Sequence, residues 1–273
     1  MGDGTPTAEE STRAAAAYAR WSAPFTGQFV SAVLDAAAPI GPGTHLLDIA
    51  TGTGVAAVAA AAAGATVLAT DLSPGMVDAA GAALAPYPTA TVKAMDGTAL
   101  EVADNAYDVV LSVFGVMTFP DWEAGLREMV RVVAPGGRLV LSTWTSADGA
   151  AFFPTVLATY RSTFPDKPSP CLGAGVAALS TPDKVTAALA AAGAERITVT
   201  PVEQTWVGPP AVGAVETLTT LFQRAPFYKA LTEDELAVFR PRLGAALARY
   251  AGDDGVIRIP SSALVTLAHK PAV

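Results

Sequence analysis

Between His45 and Trp144 the chain alternates five short apolar runs with helix-forming segments, and no other feature restricts the fold as tightly. The runs are HLLDIA (45–50), TVLATD (66–71), ATVKAM (90–95), YDVVLSVF (107–114) and GRLVLSTW (137–144), each bounded by Gly, Pro or Asp. Runs that are apolar on both faces suit strands buried inside a parallel sheet. Between them lie VAAVAAAAA, PGMVDAAGAAL and DWEAGLREMVRVV, which have helical composition. Ser73 is placed to cap the second of these, with Pro74 at its first position. The pattern predicts a doubly wound α/β sheet.

Outside this stretch the rhythm loosens. AEESTRAAAAYARW and FTGQFVSAVLDAAA predict two N-terminal helices within 8–39, ahead of a core sheet over 44–145. Residues 145–180 are rich in Pro, Gly and Ser. Thr181 and Pro182 then open a helix that leads into a strand near 195–202. Residues 204–255 read as an insertion with two helices, the second opened by a capping box from Thr232 to Glu235. The last strand lies at about 256–268. No repeat of fixed period and no clean linker divides the chain, so 1–273 reads as one domain. Segments 145–180 and 204–255 form a helical cap on it.

Composition narrows the chemistry. The 273 residues are 51% hydrophobic and 15% charged, ample for a packed core. A net charge of −8 gives no electrostatic footprint for nucleic acid or an anionic membrane surface, which leaves small molecules as partners and a homodimer open. The one cysteine, Cys171, excludes an internal disulfide and a thiolate metal cluster, and it lacks a nearby His or Asp pair that would make it catalytic. No metal site is assigned. The polar N-terminus has no apolar export segment, and Val55 to Ala69 is too short and too alanine-rich to span a bilayer; a cytoplasmic location is expected.

Ligands of doubly wound sheets bind beyond the carboxyl ends of the strands, where the strand order reverses. Asp48, the loop around Gly52, Asp71 and Asp96 all fall at such ends. Read forward, GTGVAA fits G-x-G-x-x-A at Gly52, Gly54 and Ala57, the loop that cradles a dinucleotide pyrophosphate. Read backward, the same loop carries Asp48, which would repel a pyrophosphate and attract an ammonium group. Asp71, seventeen positions after Gly54, suits ribose hydroxyls under either reading. Asp48 and Asp96 have a task only if the ligand is an ammonium-bearing nucleoside. Taken alone, an Asp ending a strand is also a common turn former.

In order and spacing, LLDIATGTG, ATDLSPGM, MDGTAL, YDVVLSVFGVMTF and EMVRVVAPGGRLVLSTW resemble the class I S-adenosylmethionine-dependent methyltransferases, above all their quinone-type and natural-product branch. The resemblance covers roughly 18 to 145 and, more loosely, the final strands. It implies a Rossmann-like sheet, mostly parallel with an antiparallel last strand, and S-adenosyl-L-methionine as cofactor. One departure stands out: the pattern D-x-G-x-G-x-G has Ala50 in place of its first glycine. Carried over by position, Asp48, Ala50, Gly52 and Gly54 would hold the methionine portion and Asp71 the ribose. Leu72, Met76 and Met95 would flank the adenine, with Asp96 and the Gly97 backbone at its edge. Val113 and Phe114 would meet the amino acid end through their backbone, with Met117 and Phe119 facing the methyl. Tyr18 and Trp21 would close over the cofactor, though Trp21 and Phe25 equally suit a helix core.

Methyl transfer to a nucleophilic acceptor needs alignment and exclusion of water more than a catalytic side chain. His45 opens the first strand, and an antiparallel last strand puts His269 at the same far edge, so neither reaches the ligand. No catalytic residue is therefore assigned. The cap segments hold Phe152, Phe153, Tyr160, Trp206, Phe222, Phe227 and Tyr228, which with Phe119 suit a small, largely apolar acceptor, such as a secondary metabolite. APGGRL at 134–139 reads as a tight turn entering a strand, and Leu218, Leu221 and Phe222 also fit a helical core stripe. Three other readings stay open: a nicotinamide oxidoreductase, a relative of the same fold that catalyses cyclisation or rearrangement, and a binding protein without turnover.

Overall fold

The computed structural model describes residues 8–145, 152–168, 170, 173–222 and 225–272. Cys171 lies outside them. Seven strands form one sheet in the order β3-β2-β1-β4-β5-β7-β6. Strands β1 (His45–Ile49), β2 (Thr66–Asp71), β3 (Ala90–Ala94), β4 (Tyr107–Val113) and β5 (Val133–Trp144) run parallel. β7 (Val256–His269) runs antiparallel to both β5 and β6 (Glu195–Pro210). The central strands are apolar on both faces because helices cover both; Leu46, Leu47, Ile49, Val109, Val110 and Leu111 are fully buried. Strand order reverses between β1 and β4, which places the ligand crevice beside the ends of those two strands.

The helices are α1 (Ala8–Trp21), α2 (Ala23–Thr26), α3 (Val30–Ala37), α4 (Val55–Ala62), α5 (Pro74–Leu84), α6 (Trp122–Val132), α7 (Phe153–Thr163), α8 (Ala174–Ala178), α9 (Pro182–Ala191), α10 (Ala214–Phe222), α11 (Pro226–Lys229) and α12 (Glu233–Ala248). Their starts follow from capping chemistry. Asp121 accepts from the Ala124 amide at 2.8 Å, and Thr181 accepts from Lys184 at 3.4 Å, with Pro182 following it. Thr232 and Glu235 form the reciprocal capping box that opens α12.

Three elements differ from the sequence expectation. The second N-terminal helix is broken into α2, a 3-10 turn over Gly27–Phe29, and α3. The break falls at Gly27, where a side chain would meet Val55 at 3.3 Å. Strand β6 does not stop near 202 but continues to Pro210, pairing with β7 in register from Thr198 to Val207 and again at Pro210 after a register shift, so 204–210 belong to the sheet. The alternation Val202, Gln204, Trp206 carries this extension, with Trp206 buried and Val207 exposed. Three helices rather than two then follow, because Pro226 starts the extra turn α11. Finally, β5 begins at Val133, and APGGRL is a bulge inside it. Tyr107 pairs with Val133 but Val109 with Arg138, and the Gly136 amide bonds Lys270 on the last strand's side.

Candidate functional site

The loop after β1 is shaped by two carboxylates. Asp48 ends β1 and is 1% exposed; its Oδ2 accepts from the Thr51 hydroxyl at 2.6 Å. Among the described residues no cation pairs with it. Burial pushes its carboxyl up to about 7, the Thr51 bond opposes that rise, and the neighbouring Asp71 adds to it. Asp71 ends β2 and accepts twice at 2.9 Å, with Oδ2 from the Gly52 amide and Oδ1 from the Ser73 amide. Burial raises Asp71 as well, against the lowering effect of those amides. Each carboxylate oxygen retains lone-pair capacity for a further donor.

The loop backbone is bent into left-handed conformations at Ala50 (φ 55°), Gly52 (φ 58°) and Gly54 (φ 87°). Glycine adopts these freely; alanine does so under strain. Ala50 is accommodated by Gly115 across the crevice, where a methyl group would lie 2.6 Å from the Ala50 Cβ. Gly115 was not singled out from sequence, nor was Ser112. The buried Ser112 hydroxyl bonds the Ile49 carbonyl and accepts the Val116 amide, both at 3.1 Å, tying the end of β1 to the turn after β4. A serine inside an otherwise apolar strand is the one signal that marked it.

Tyr18, from α1, lies over this loop, its ring 3.4 Å from where a Gly52 side chain would start. Its hydroxyl is 3.4 Å from the Thr26 hydroxyl. Burial pushes the phenol above its ordinary value, opposed by Thr26, and Asp71 and Asp48 add to the rise. Tyr18, Thr26, Asp48, Ala50, Thr51, Val55 and Val113 line one enclosed cleft. Trp21 is not among its lining residues; the Arg20 guanidinium sits 5.1 Å from its ring centroid.

Further along the edge, Leu72 is 69% exposed directly after Asp71, with Met76 half-buried and Met95 buried nearby in the fold. The Met95 amide bonds the Asp71 carbonyl, which aligns the two strand ends. Asp96 is exposed, and the Thr98 amide and hydroxyl hold its carboxyl below the usual range. Gly97 is covered by Phe119: a methyl at position 97 would lie 2.6 Å from that ring. Phe119 thus packs on Gly97 and Gly125, and among the described residues no direct ring contact joins it to the cap aromatics. Phe114 (φ 57°) stacks on Trp144 with centroids 4.0 Å apart, and Phe25 covers the other face of Trp144 at 5.4 Å. Met117 is buried beneath α8, since a Gly175 side chain would strike its carbonyl.

The cap aromatics converge. Phe152 lies 5.0 Å from Trp206 and 6.5 Å from Phe222, while Phe227 contacts Phe153, Tyr160, Phe222 and Tyr228. Trp206 and Phe222 are 1% and 2% exposed. Tyr228 accepts from Arg240 Nε at 3.2 Å. These rings form a packed cluster continuous with the core. An open polar groove lies where β5 ends beside the middle of β6 and the facing part of β7, lined by Thr145, Glu203, Gln204 and Ser261. His45 and His269 sit at the opposite edge, with His45 Nδ1 3.5 Å from Asp108 and His269 paired with Arg138.

A doubly wound sheet with a left-handed glycine loop after β1, an acid ending β2 and an antiparallel last strand defines a methyltransferase-type α/β domain. Residues 47–141 match the family model described as methyltransferase domain. Residues 47–141 thus carry the methyltransferase domain, and the resemblance to class I S-adenosylmethionine-dependent methyltransferases rests on this part of the chain. The chain is 39% identical over 176 residues to an uncharacterized protein of Mycobacterium tuberculosis, covering 60% of this chain and 61% of that one. It is 43% identical over 117 residues to a demethylmenaquinone methyltransferase of a Mycobacterium species, covering 43% of this chain and 49% of that one. The chain thus spans between half and three-fifths of the length of these relatives. Its fold is shared with phosphoethanolamine N-methyltransferase 2 of Haemonchus contortus in complex with S-adenosyl-L-methionine (TM-score 0.55, 20% identity, 89% of this chain and 52% of that one). No helix among the described residues is long and apolar enough to cross a membrane.

Proposed function

We propose that this protein transfers a methyl group from S-adenosylmethionine to a small, largely apolar acceptor. The observation that carries this reading is Asp48: a buried carboxylate beside the glycine loop, raised to about 7 and lacking a cationic partner among the described residues. A ligand that brings an ammonium group supplies that partner, whereas a pyrophosphate meets repulsion from Asp48 and Asp71 together. The match of 47–141 to a methyltransferase domain and the demethylmenaquinone methyltransferase relatives support the same choice.

In this reading Asp48 pairs with the ammonium, the loop from Ala50 to Gly54 lets the backbone approach the amino acid tail, and Asp71 takes the ribose hydroxyls. Leu72 with Met76 and Met95 flanks the adenine, and Asp96 and Gly97 meet its edge. Val113 and Phe114 meet the amino acid end through their backbone, Met117 faces the methyl, Tyr18 covers the cleft from α1, and Trp21 is its outer neighbour. Bound S-adenosylmethionine supplies an electrophilic methyl on a sulfonium. The chain contributes alignment for in-line displacement and a dry enclosure. Phe152, Phe153, Phe222 and Tyr228 of the cap, with Trp206 of β6, form the acceptor side, and Phe119 faces the methyl from its place over Gly97; among the described residues this lining is apolar and offers no cluster of cations for a phosphate. The test is incubation with S-adenosylmethionine and a panel of quinols, phenols and apolar amines, read by mass spectrometry. A one-methyl mass gain in an apolar acceptor is expected; methylation of nucleic acid or protein alone contradicts the proposal.

A further inference from the structure

We infer that Ser11 and Gly75 are positioning residues of the cleft: their contact docks α1 on α5 and thereby holds Tyr18 against the Gly52 loop. The inference takes its ligand from the cofactor reading above, while the docking itself stands on geometry. Ser73 occupies the N-cap of α5, where a serine ordinarily accepts from the second or third amide of the helix, yet it makes no such bond. Ser11 supplies the cap from another helix. The Gly75 amide donates to Ser11 Oγ at 2.9 Å, and that oxygen is 3.1 Å from the Ser73 hydroxyl.

Glycine at 75 is what lets the two helices meet. A methyl group there would lie 2.5 Å from the Ser11 carbonyl oxygen and 2.6 Å from its carbon, backbone atoms that cannot rotate aside. Alanine is the better helix former, so helix propensity alone favours Ala at this position. The close approach overrides that preference.

The docked face continues along α1. Ser11, Ala15 and Tyr18 are spaced four and three apart, one side of the helix over two turns; Ser11 and Ala15 are both 4% exposed. Asp71 lies between the two ends of this face. Its Oδ1 takes the Ser73 amide beside the Ser11 contact, and its Oδ2 takes the amide of Gly52, which Tyr18 covers. Helix α1 is therefore fastened next to one carboxylate oxygen and lies over the loop held by the other.

The experiment measures S-adenosylhomocysteine dissociation and hydrogen exchange of α1 amides in the full chain, for wild type, Ser11→Ala and Gly75→Ala. Ser11→Ala removes one hydrogen bond and should weaken binding about tenfold, mainly through faster dissociation, with faster exchange across α1 in the ligand-free protein. Gly75→Ala should do the same more strongly. Because that variant forces backbone apart and can lose its fold, Ser11→Ala is the deciding one. Faster exchange with unchanged dissociation overturns the coupling to the cleft, since a purely structural contact moves only stability and exchange. Unchanged exchange in α1 overturns the docking. If the wild type does not bind S-adenosylhomocysteine, the cofactor reading fails separately, and the exchange data still decide whether Ser11 and Gly75 dock α1.

Discussion

The Gly52 amide donates to Asp71 Oδ2 at 2.9 Å, so the acid that ends β2 braces the loop that follows β1. In the proposed reading Asp71 therefore has two tasks, one in holding the loop and one toward the ribose. Asp71→Ala should lose about 1.5–3 kcal/mol of S-adenosylhomocysteine binding through a missing charge-assisted bond. Asp71→Asn keeps one acceptor oxygen and should lose less. Calorimetric titration of both variants checks this; equal affinity in Asp71→Ala and wild type removes the ribose assignment.

Asp48 sets a pH dependence. Its folded carboxyl is raised from 3.8 to about 7, so the folded state binds its proton more tightly than the unfolded chain does. Stability from this group is present below about pH 4 and is lost as pH rises toward 7. Asp48→Asn should raise the ligand-free stability at pH 8 by about 1–3 kcal/mol, less than full removal of the buried charge would imply because the Thr51 geometry changes. The same variant should bind S-adenosylhomocysteine at least about tenfold more weakly, for want of the ammonium partner. Denaturant titrations at pH 5 and pH 8 check the sign: a wild-type carboxylate that stabilised the fold at pH 8 would make the Asn variant weaker there.

Gly52 has φ 58° and faces the Tyr18 ring at 3.4 Å. Gly52→Val should abolish cofactor binding and also cost roughly 1–2 kcal/mol of stability, since a β-branched residue is strained in the left-handed region. Thermal unfolding with and without ligand separates the two effects. A variant that binds normally would reduce the loop to ordinary turn structure.

The pair Ala50 and Gly115 gives a double-mutant test. Gly115→Ala places two methyl groups 2.6 Å apart and should destabilise the loop and weaken binding. Adding Ala50→Gly relieves that contact and the φ 55° strain but leaves the new methyl 2.7 Å from Ser112 Oγ, so the double variant should recover part of the loss. A coupling of about 1 kcal/mol or more is expected, and additive effects contradict the steric account.

Much of this was legible in the sequence because local chemistry decided it. The five apolar runs announce the parallel core, Pro182 and the Thr232–Glu235 box announce helix starts, and Asp48, Gly52 and Asp71 stand at the strand ends where such sheets gather ligands. The unread parts depend on contacts between distant segments. Nothing near position 11 shows that Ser11 caps α5, since its partner is 64 residues away. Gly115 reads as a spacer until Ala50 is placed opposite it. The extension of β6 to Pro210 was obscured by Pro201, Gly208 and Pro209, which read as breakers; Pro201 pairs with Leu264 of the long β7, and Gly208 and Pro209 fall at a register shift that the same pairing spans. Trp206 and Phe222 also carry more structural weight than an apolar lid implies.

That weight bears on the cap. Trp206→Ala removes a side chain that is 1% exposed and should cost about 3–5 kcal/mol of stability, which masks any effect on turnover. Trp206→Phe keeps an aromatic ring against Phe152 at lower cost and is the better probe. It should lower turnover more than it changes cofactor affinity, if, as proposed, this aromatic cluster borders the acceptor and not the loop. Steady-state kinetics against direct titration of S-adenosylhomocysteine reads the split, and a change confined to cofactor affinity contradicts an acceptor role.

The most direct test of the central claim is a paired calorimetric titration of the wild-type chain with S-adenosylhomocysteine and with NADH at pH 8. Saturable binding of the nucleoside, weakened in Asp48→Asn, and no binding of the dinucleotide are expected. NADH binding that strengthens when Asp48 is neutralised, with no response to S-adenosylhomocysteine, would contradict it.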